Sequence, residues 1–457
     1  MRTADIAESL GRGLTLVVVV LVLAGIRWLA GLVGFAPDPL AGTTMAVGFL
    51  FLAAFLAGRV AAGLGLPKIT GYLLVGGLVG PEVLGLLNES NLQNMALLNR
   101  LAIGVIAFIA GGELRPSMLQ QRGRTIAVML GCEIGAVLVL VTALLLILRP
   151  FVPFLAGFSF GTAAVLALVF ASIATIHSPA VTIALLDEQR AAGPVSSTTL
   201  GIVVAADVVV VILVTLALST ASAVLTADAG LDAGFLALLA WELVGAIIAG
   251  ALLGAVVDIY LRLGGAHLPI FVIFLALFGY EISRAIHVEF MLFMLSAGFF
   301  VENISPVDGE PLIEAVERVG TFEYALFFAL AGASIHLAEL VLLWPLALAV
   351  VLVRGIGLWG GCRIGARLAG AEEKVRRYTW MGLVSQAGVA LGLVTVAERV
   401  LPEVGGAMKT LFLAMIAVHE LIGPILFRLA LARSGELERV PEGLGSGPSM
   451  SRSVPAA

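Results

Sequence analysis

Long apolar runs separated by short polar segments occupy most of this 457-residue chain. A membrane-spanning helix needs about 20 predominantly apolar residues, and the runs accommodate about fourteen such helices. Two of the separating segments are short, SRAIHVE between the ninth and tenth runs and HLAEL between the eleventh and twelfth. The pattern predicts an all-α polytopic membrane protein with helices centred near residues 24, 54, 77, 104, 137, 172, 206, 249, 276, 296, 329, 353, 388 and 420.

The composition supports a membrane protein, because 60% of the residues are hydrophobic and only 12% are charged. Soluble domains carry about a quarter charged residues, so this chain has too few charges to cover its own surface in water. Neither Cys132 nor Cys362 has a Cys or His neighbour at metal-ligand spacing. The sequence contains no nucleotide-binding or zinc fingerprint. We therefore expect no enzyme activity, no cofactor and no nucleic-acid partner.

The distribution of positive charge predicts the orientation in the membrane. Most of the 26 lysine and arginine residues fall in the two termini and in the even-numbered loops. Positively charged loops stay on the cytoplasmic side, so both termini are expected in the cytoplasm of a cell that holds this protein in its inner (plasma) membrane. The densest group of charges consists of Arg363, Arg367, Lys374, Arg376 and Arg377.

Two of the apolar runs are interrupted near their middles. In ATIHSPAV, Pro179 removes a backbone donor and frees a carbonyl near Thr175. The counterpart is GLVSQAGVALGLV, where Ser385 and Gln386 interrupt the run. Both runs therefore predict broken helices, and polar side chains at such breaks are typical of transport sites.

Local features recur in the same order in the two halves of the chain. FIAGG from Phe108 returns as FALAG from Phe328, and the span after each break carries one carboxylate, Asp207 or Glu420. An odd number of crossings separates the two sets, so we predict two inverted six-helix repeats with crossed broken helices, the pattern of a secondary transporter. The predicted organisation is an extra N-terminal helix at 1–42, a first inverted repeat at 43–217, a linker helix at 218–265, a second inverted repeat at 266–432 and a disordered cytoplasmic tail at 433–457.

Several segments resemble the monovalent cation/proton antiporter superfamily, especially its Kef-like and Na⁺/H⁺ exchanger branch. LPKITGYLLVGGLVGPEVLGLL from Leu66 resembles its early-helix motif, and FIAGGELRPSML resembles the next helix. MLFMLSAGFFVEN and GLVSQAGVALGL resemble the segment LGAFxAG and the second broken helix. The resemblance extends in order from residue 43 to residue 432 and includes no cytoplasmic nucleotide-binding domain.

The resemblance implies a dimerisation scaffold, a mobile core with an elevator-like motion, a homodimer in membrane lipid, and exchange of Na⁺ or K⁺ for H⁺. Asp207 matches the ion-binding carboxylate of the family, although Ala206 precedes it where relatives have Asp, Asn or Gln. Arg354 resembles an arginine of many electroneutral members, whose usual Glu partner is Ile202 here. The lysine of electrogenic members has no match in YALFFALAGASIHL, so electroneutral exchange is expected.

The chemistry of these residues is consistent with that function. An ionised carboxylate in hydrocarbon is costly, so Asp207 is expected to face water, a proton or a cation. Thr175 and Ser178 add hydroxyl oxygens, the ligands that hard cations prefer. His177 is a poor ligand for Na⁺ or K⁺, and it is either a second proton carrier or pH sensor, or a hydrogen-bonded residue of the break.

The remaining buried polar residues have two interpretations each. Arg354 requires a carboxylate or backbone carbonyls, and Glu133 and Glu420 are its candidate partners. His419 and Glu420 form either a second proton site or a polar packing pair. Ser385 and Gln386 are expected to complete the site from the second broken helix.

Two other functions remain open from the sequence. Opposed half-helix N-termini could bind an anion or organic anion on the same architecture. Alternatively, the altered motif could mark a sensor or partner subunit that transports nothing. Flux that survives loss of Asp207 would favour the anion, and a folded protein without any ion flux would favour the sensor.

Overall fold

The computed structural model of the chain describes residues 15–18, 20–21, 25, 39–113, 116–226, 241–263, 268–306, 324–335, 337–386 and 388–437, and every regular element within them is helical. A helix lies at each predicted centre from residue 54 to residue 420. The first centre, residue 24, lies outside the described residues, as do most of the extra N-terminal helix and of the C-terminal tail. The predicted all-helical architecture is thus confirmed for the part that is described.

Within its described residues, the first half of the chain contains seven helices that we label, with a short helix, Glu89–Asn94, between the second and the third. They are α1 Pro39–Gly63, α2 Lys68–Val79, α3 Ala96–Glu113, α4 Pro116–Ile147, α5 Phe160–Ala174, α6 Pro179–Gln189 and α7 Pro194–Thr226.

The described part of the second half starts with a π-helical turn, Trp241–Gly245, and continues through eight helices. They are α8 Ala246–Arg262, α9 Leu268–Ala285, α10 Phe290–Asn303, α11 Tyr324–Ala333, α12 Leu337–Ala369, α13 Glu373–Gly382, α14 Gly388–Val400 and α15 Pro402–Ser434. Both short separations predicted from the sequence are present, since α9 ends before α10 begins at residue 290 and α11 ends before α12 begins at residue 337.

Six spans within the described residues are long and apolar enough to cross a membrane. One of them, Phe160–Gln189, combines α5 and α6 around the first break. Other apolar helices are shorter, and they belong to the same predicted series of crossings. The six long spans are Thr43–Gly63, Gln120–Ile147, Phe160–Gln189, Pro194–Ser222, Leu343–Ala369 and Pro402–Ser434.

Local chemistry explains the first break. Thr175 ends α5, and Ser178 begins α6 by accepting a hydrogen bond from Val181 N at 3.3 Å. Pro179 occupies the first position of α6, where its missing N–H costs no helical hydrogen bond. In the second half, residues 383–386 form the corresponding non-helical stretch between α13 and α14.

The buried apolar side chains form two clusters, which we name after two of their helices. The α2–α10 cluster also takes side chains from α1, α3, α6, α8, α9 and α11. The α4–α12 cluster is built mainly from α4, α5, α7 and α12 to α15. Helix α5 belongs to the α4–α12 cluster and α6 belongs to the α2–α10 cluster, so the chain passes between the two clusters at the first break.

A ridge of glycines brings α4 and α12 together. A Cβ atom on Gly361 would lie 2.4 Å from Glu133 Cα, and one on Gly365 would lie 2.6 Å from Met129 Cα. Gly357 faces Val137 in the same way one turn earlier. Small residues at this spacing allow helix backbones to approach closely, and here they carry Glu133 into the interior of the α4–α12 cluster.

The residues that follow α15 hold the beginning of α7. The buried Glu436 carboxylate accepts hydrogen bonds from Val195 N, Ser196 N and Ser196 Oγ, each at 2.7 Å. A Cβ atom on Gly193 would lie 2.4 Å from Glu436 Cδ, so glycine is required at that position. Because negative charge is favourable at a helix N-terminus, this contact ties the residues directly after α15 to the start of α7.

We expect Glu436→Ala to lower the free energy of unfolding by about 1–3 kcal/mol, because it leaves buried N–H groups of α7 without an acceptor. Glu436→Gln keeps an acceptor oxygen and should lose less. Thermal unfolding in detergent measures both. Glu403→Gln, an exposed position at the start of α15, is the matched control and should stay within about 0.5 kcal/mol of the unsubstituted protein. Equal losses at both positions would contradict the anchoring role.

Candidate functional site

The two broken helices meet through reciprocal hydrogen bonds. His177 Nδ1, at the first break, donates to Leu383 O of the second at 2.8 Å. Gln386 Nε2, at the second break, donates to Ala174 O and Ile176 O of the first at 3.0 and 3.2 Å. The expected crossing of two broken helices is therefore present, and each break satisfies backbone carbonyls that the other leaves without a helical donor.

Arg354 lies at the centre of this crossing, fully buried on α12. Its guanidinium donates to four carbonyl oxygens at 2.7–3.2 Å, two from each break. The acceptors are Ala174 O, Ile176 O, Leu383 O and Val384 O. Because the C-terminal ends of α5 and α13 carry partial negative charge, one cation between them stabilises both. Of the alternatives open from the sequence, backbone carbonyls rather than Glu133 or Glu420 accept these hydrogen bonds.

Glu133 instead contacts the first break through His177. Glu133 Oε1 lies 3.1 Å from His177 Nε2, and both side chains are fully buried. Arg354 Nη2 also lies 3.4 Å from His177 Nδ1, so the carboxyl group of Glu133, the imidazole and the guanidinium form one continuous set of buried polar contacts.

The second break is also tied to α15. His419 Nδ1 donates to Gln386 Oε1 at 2.9 Å, so His419 acts on the crossing through Gln386. Ser385 packs against Gly423, where a Cβ atom would lie 2.0 Å from its hydroxyl oxygen. Glu420 is buried beside His419. These contacts fit the interpretation of His419 as part of a polar packing arrangement.

Asp207 lies on α7, thirteen residues after its first residue, Pro194. Ala206, next to it, is buried in the α4–α12 cluster together with Ala174 and Ile176 of the first break. Asp207 Oδ1 is buried and has no hydrogen-bond partner among the described residues. A carboxylate oxygen left in this way is unstable unless water, a proton or a cation occupies the position beside it.

The two predicted hydroxyl ligands are both engaged in the backbone of the break. Thr175 Oγ1 donates to Ser172 O at 2.7 Å, and Ser178 Oγ accepts from Val181 N. A hydroxyl oxygen retains acceptor capacity in either arrangement. The structure thus gives each hydroxyl a local structural contact, and their part in ion binding stays a prediction.

One acidic residue with a defined contact was not identified from the sequence. Glu289 immediately precedes α10 and caps it, because its carboxylate accepts hydrogen bonds from Met291 N and Leu292 N. In the sequence it belongs to the polar segment SRAIHVE, which was interpreted only as a separation between helices. Its position directly before an apolar helix, where Glu is not a preferred capping residue, is the signal that could have revealed it.

No group of three or more His, Cys, Asp and Glu side chains with the geometry of a resident metal site occurs in the described part of the chain.

Known proteins resemble this chain in sequence and in structure. The model of the family described as "Sodium/hydrogen exchanger, transmembrane" matches residues 49–432. A solved structure of the sodium proton antiporter MjNhaP1 from Methanocaldococcus jannaschii at pH 8 is 17% identical, with a TM-score of 0.58 over 87% of this chain and 97% of that chain. An electron-microscopy structure of the same antiporter is 18% identical, with a TM-score of 0.63 over 89% and 99%. No curated protein sequence matches the chain. The identities are low, so the two structures show a shared fold.

Proposed function

Because the chain belongs to the sodium/hydrogen exchanger family, which consists of transporters and not enzymes, we propose that it exchanges Na⁺ or K⁺ for H⁺ with Asp207 as the shared binding group. The observation that carries this proposal is the buried Asp207 Oδ1, which lacks a hydrogen-bond partner among the described residues. A proton and a cation exclude each other from one carboxylate. If only the occupied carrier crosses the membrane, that competition produces antiport.

Electroneutral exchange is supported by the contacts of Arg354. Its donors are engaged by four carbonyl oxygens, so its charge stabilises the crossing whether Asp207 holds a proton or a cation. Asp207 then remains as the group that alternates between the two substrates. One proton exchanged for one monovalent cation moves no net charge.

The division of the apolar side chains into two clusters supports an elevator-like motion. In this proposal, the two crossed broken helices, α6 included, move with the α4–α12 cluster as the core. The other helices of the α2–α10 cluster are the scaffold, with a homodimer formed through scaffolds. The inverted repeats at 43–217 and 266–432 belong to the same proposal. The predominance of Lys and Arg in termini and even-numbered loops supports cytoplasmic termini in the inner membrane.

The anion alternative has less support from the site. The N-terminus of α6 is capped by Ser178 itself, and the acidic Asp207, whose neighbour Ala206 packs in one cluster with Ala174 and Ile176 of the break, would repel an anion. A sensor without transport would not require a buried carboxylate oxygen without a partner. We therefore propose neither of these functions.

Ion-dependent proton flux in proteoliposomes tests the proposal. Gradients of Na⁺, K⁺ and Li⁺ are compared side by side across pH, with a pH-sensitive dye inside the vesicles. We expect at least one cation to drive proton movement at a rate that an added counter-charge pathway leaves unchanged. Folded protein that moves protons with none of these cations would disprove the exchange, and a rate raised by the counter-charge pathway would disprove its electroneutrality.

A further inference from the structure

A side chain from another helix caps the start of α2. Lys68 N donates to both carboxylate oxygens of Glu188, near the end of α6, at 2.9 and 3.1 Å. Pro67, which precedes α2, makes no side-chain capping hydrogen bond. The first N–H groups of a helix have no partner within the helix and favour a negative charge beside them. Glu188 therefore caps α2, although 120 residues separate it from Lys68 in the sequence.

A second set of hydrogen bonds holds residues 64–67, which we call the α1–α2 turn. Arg428, on α15, donates through Nη1 to Gly65 O of this turn, and through Nε to Gln189 Oε1 at 3.3 Å. Gln189 Nε2 donates to Glu188 Oε1 at 3.1 Å. One hydrogen-bonded network thus joins the ends of α6 and α15 to the α1–α2 turn and to the start of α2.

The helices on one side of this network are also joined to one another. Ala192 N, just after α6, donates to Glu436 O at 3.2 Å, and the Glu436 carboxylate holds the start of α7. Lys374 Nζ, near the start of α13, donates to Ser434 O at 2.6 Å. The residues at and after the end of α15 therefore tie α6, α7 and α13 together. These helices carry Asp207 and adjoin the two breaks.

The network crosses the boundary along which the proposed core must move. Helices α6 and α15 belong to that core, whereas α1 and α2 belong to the scaffold, and Phe427 of α15 packs in the α2–α10 cluster. Apolar contacts are non-directional, so sliding surfaces can exchange one for another. Hydrogen bonds require donor–acceptor distances of about 3 Å and near-linear geometry. A displacement of the core therefore breaks the network, which forms in only one position of the core.

We propose that Glu188, Gln189 and Arg428 form a latch that holds the core against the α1–α2 turn in one of its positions and opens in every transport cycle. The latch rests on the proposed exchange and adds a conformational step to it. Because the closed latch lowers the free energy of one position, it contributes to how the protein divides between the two. The excess of Lys and Arg in termini and even-numbered loops predicts that these helix ends face the cytoplasm, so the latch acts on the cytoplasmic side.

A cross-link in place of the latch tests whether it must open. Lys68→Cys with Glu188→Cys puts one thiol on each side of the latch, in a protein without the two native cysteines. The matched control is Glu398→Cys with Lys409→Cys, which replaces an ion pair of 2.8 Å between α14 and α15, two helices of the proposed core. Cation-driven proton flux in proteoliposomes is measured before treatment with a short, cleavable reagent that joins two thiols, after the treatment, and after cleavage of the reagent.

We expect the flux of the cross-linked latch pair to fall to that of vesicles without protein and to recover on cleavage, because the core can no longer leave the turn. The cross-linked control pair should keep its flux, since its two helices move together. Full flux in the cross-linked latch pair, or an equal loss in the control pair, would overturn the latch.

A second measurement needs no flux. The single cysteine of Lys68→Cys reacts with a water-soluble thiol reagent, and adding Arg428→Met should raise the rate about threefold or more, because the latch opens more often. Removing a nearby positive charge would by itself slow a thiol, so a faster reaction reports opening. The exposed Arg433→Met is the matched control and should leave the rate unchanged.

The two measurements separate the latch from the exchange. Equal thiol reaction rates with Arg428→Met and with Arg433→Met would overturn the latch. A faster rate with Arg428→Met alone, in a protein whose unsubstituted form shows no cation-driven flux, would support the latch and count against the exchange.

Discussion

Asp207→Asn should abolish cation-driven proton flux and leave the protein folded. Asparagine has nearly the same shape as aspartate but carries neither a titratable proton nor a charge for a cation. The flux of this variant in proteoliposomes should therefore fall to that of vesicles without protein, with every cation tested. The unsubstituted protein in the same lipid is the reference.

The same substitution should raise the free energy of unfolding or leave it unchanged. Asp207 Oδ1 is buried with no partner among the described residues, and such a group costs about 1–3 kcal/mol. Replacing a strained functional group with a neutral one commonly stabilises a protein at the expense of activity. Thermal unfolding in detergent, measured on the sample used for flux, checks this expectation.

Asp258→Asn is the control for the chemical change itself. Asp258 lies on α8, pairs with Arg262 at 2.9 Å and accepts a hydrogen bond from Ser305 Oγ at 2.5 Å. Asparagine retains an acceptor there, and ion pairs of this kind contribute little, so flux should persist. Undiminished flux in Asp207→Asn would show that the shared site lies elsewhere. Loss of both flux and thermal stability would assign Asp207 a structural role.

Arg354→Met should produce the largest loss of stability of any single substitution considered. Methionine fills much of the volume but removes the four hydrogen bonds that the guanidinium donates to buried carbonyl oxygens. A hydrogen bond from a charged donor contributes about 1.5–3 kcal/mol, so we expect a loss of about 5 kcal/mol or more, and little folded protein. Arg354→Lys keeps the charge and some donors and should recover part of the loss, although an ammonium cannot reproduce the planar fork.

Arg363→Met on the same helix is the matched control. Arg363 lies over the Trp359 ring with 5.6 Å between the guanidinium carbon and the ring centroid, and it is partly exposed. Removing it should cost about 1 kcal/mol or less. If Arg354→Met folded with normal stability and only its flux were lost, the arginine would act in transport rather than in holding the two breaks together.

The identity of the Arg354 partners illustrates the limit of the sequence. A buried arginine requires compensation, and the sequence therefore identified a need for a carboxylate or carbonyls. The carbonyls of residues 174 and 176 precede Arg354 in the sequence by 180 and 178 residues. Those of residues 383 and 384 follow it by 29 and 30 residues, at the break between α13 and α14. No periodicity relates such positions, because they meet only where two interrupted helices cross.

Glu133, Glu289 and Glu436 illustrate the same limit in three different settings. Glu133 reaches His177 because glycines let α4 and α12 approach closely. Glu289 joins α10 to the π-helical turn before α8, because its N–H donates to Glu242 O, and Glu436 holds the start of α7. In the sequence these residues are acids at the ends or in the middle of apolar runs. Their roles depend on contacts with residues that are distant in the sequence, which a sequence pattern does not reveal.

What the sequence determined by itself follows from the lipid environment. A bilayer requires about 20 apolar residues for each crossing and internal hydrogen bonds for every backbone group. The sequence therefore reveals the positions of the helices, the breaks near Pro179 and Gln386, and Asp207 as a carboxylate within an apolar run. The tertiary structure decided which freed carbonyls Arg354 joins, which acid His177 contacts and which helix Glu436 holds. Those pairings depend on how the helices pack, and lipid imposes the length and polarity of a helix but not the identity of its neighbours.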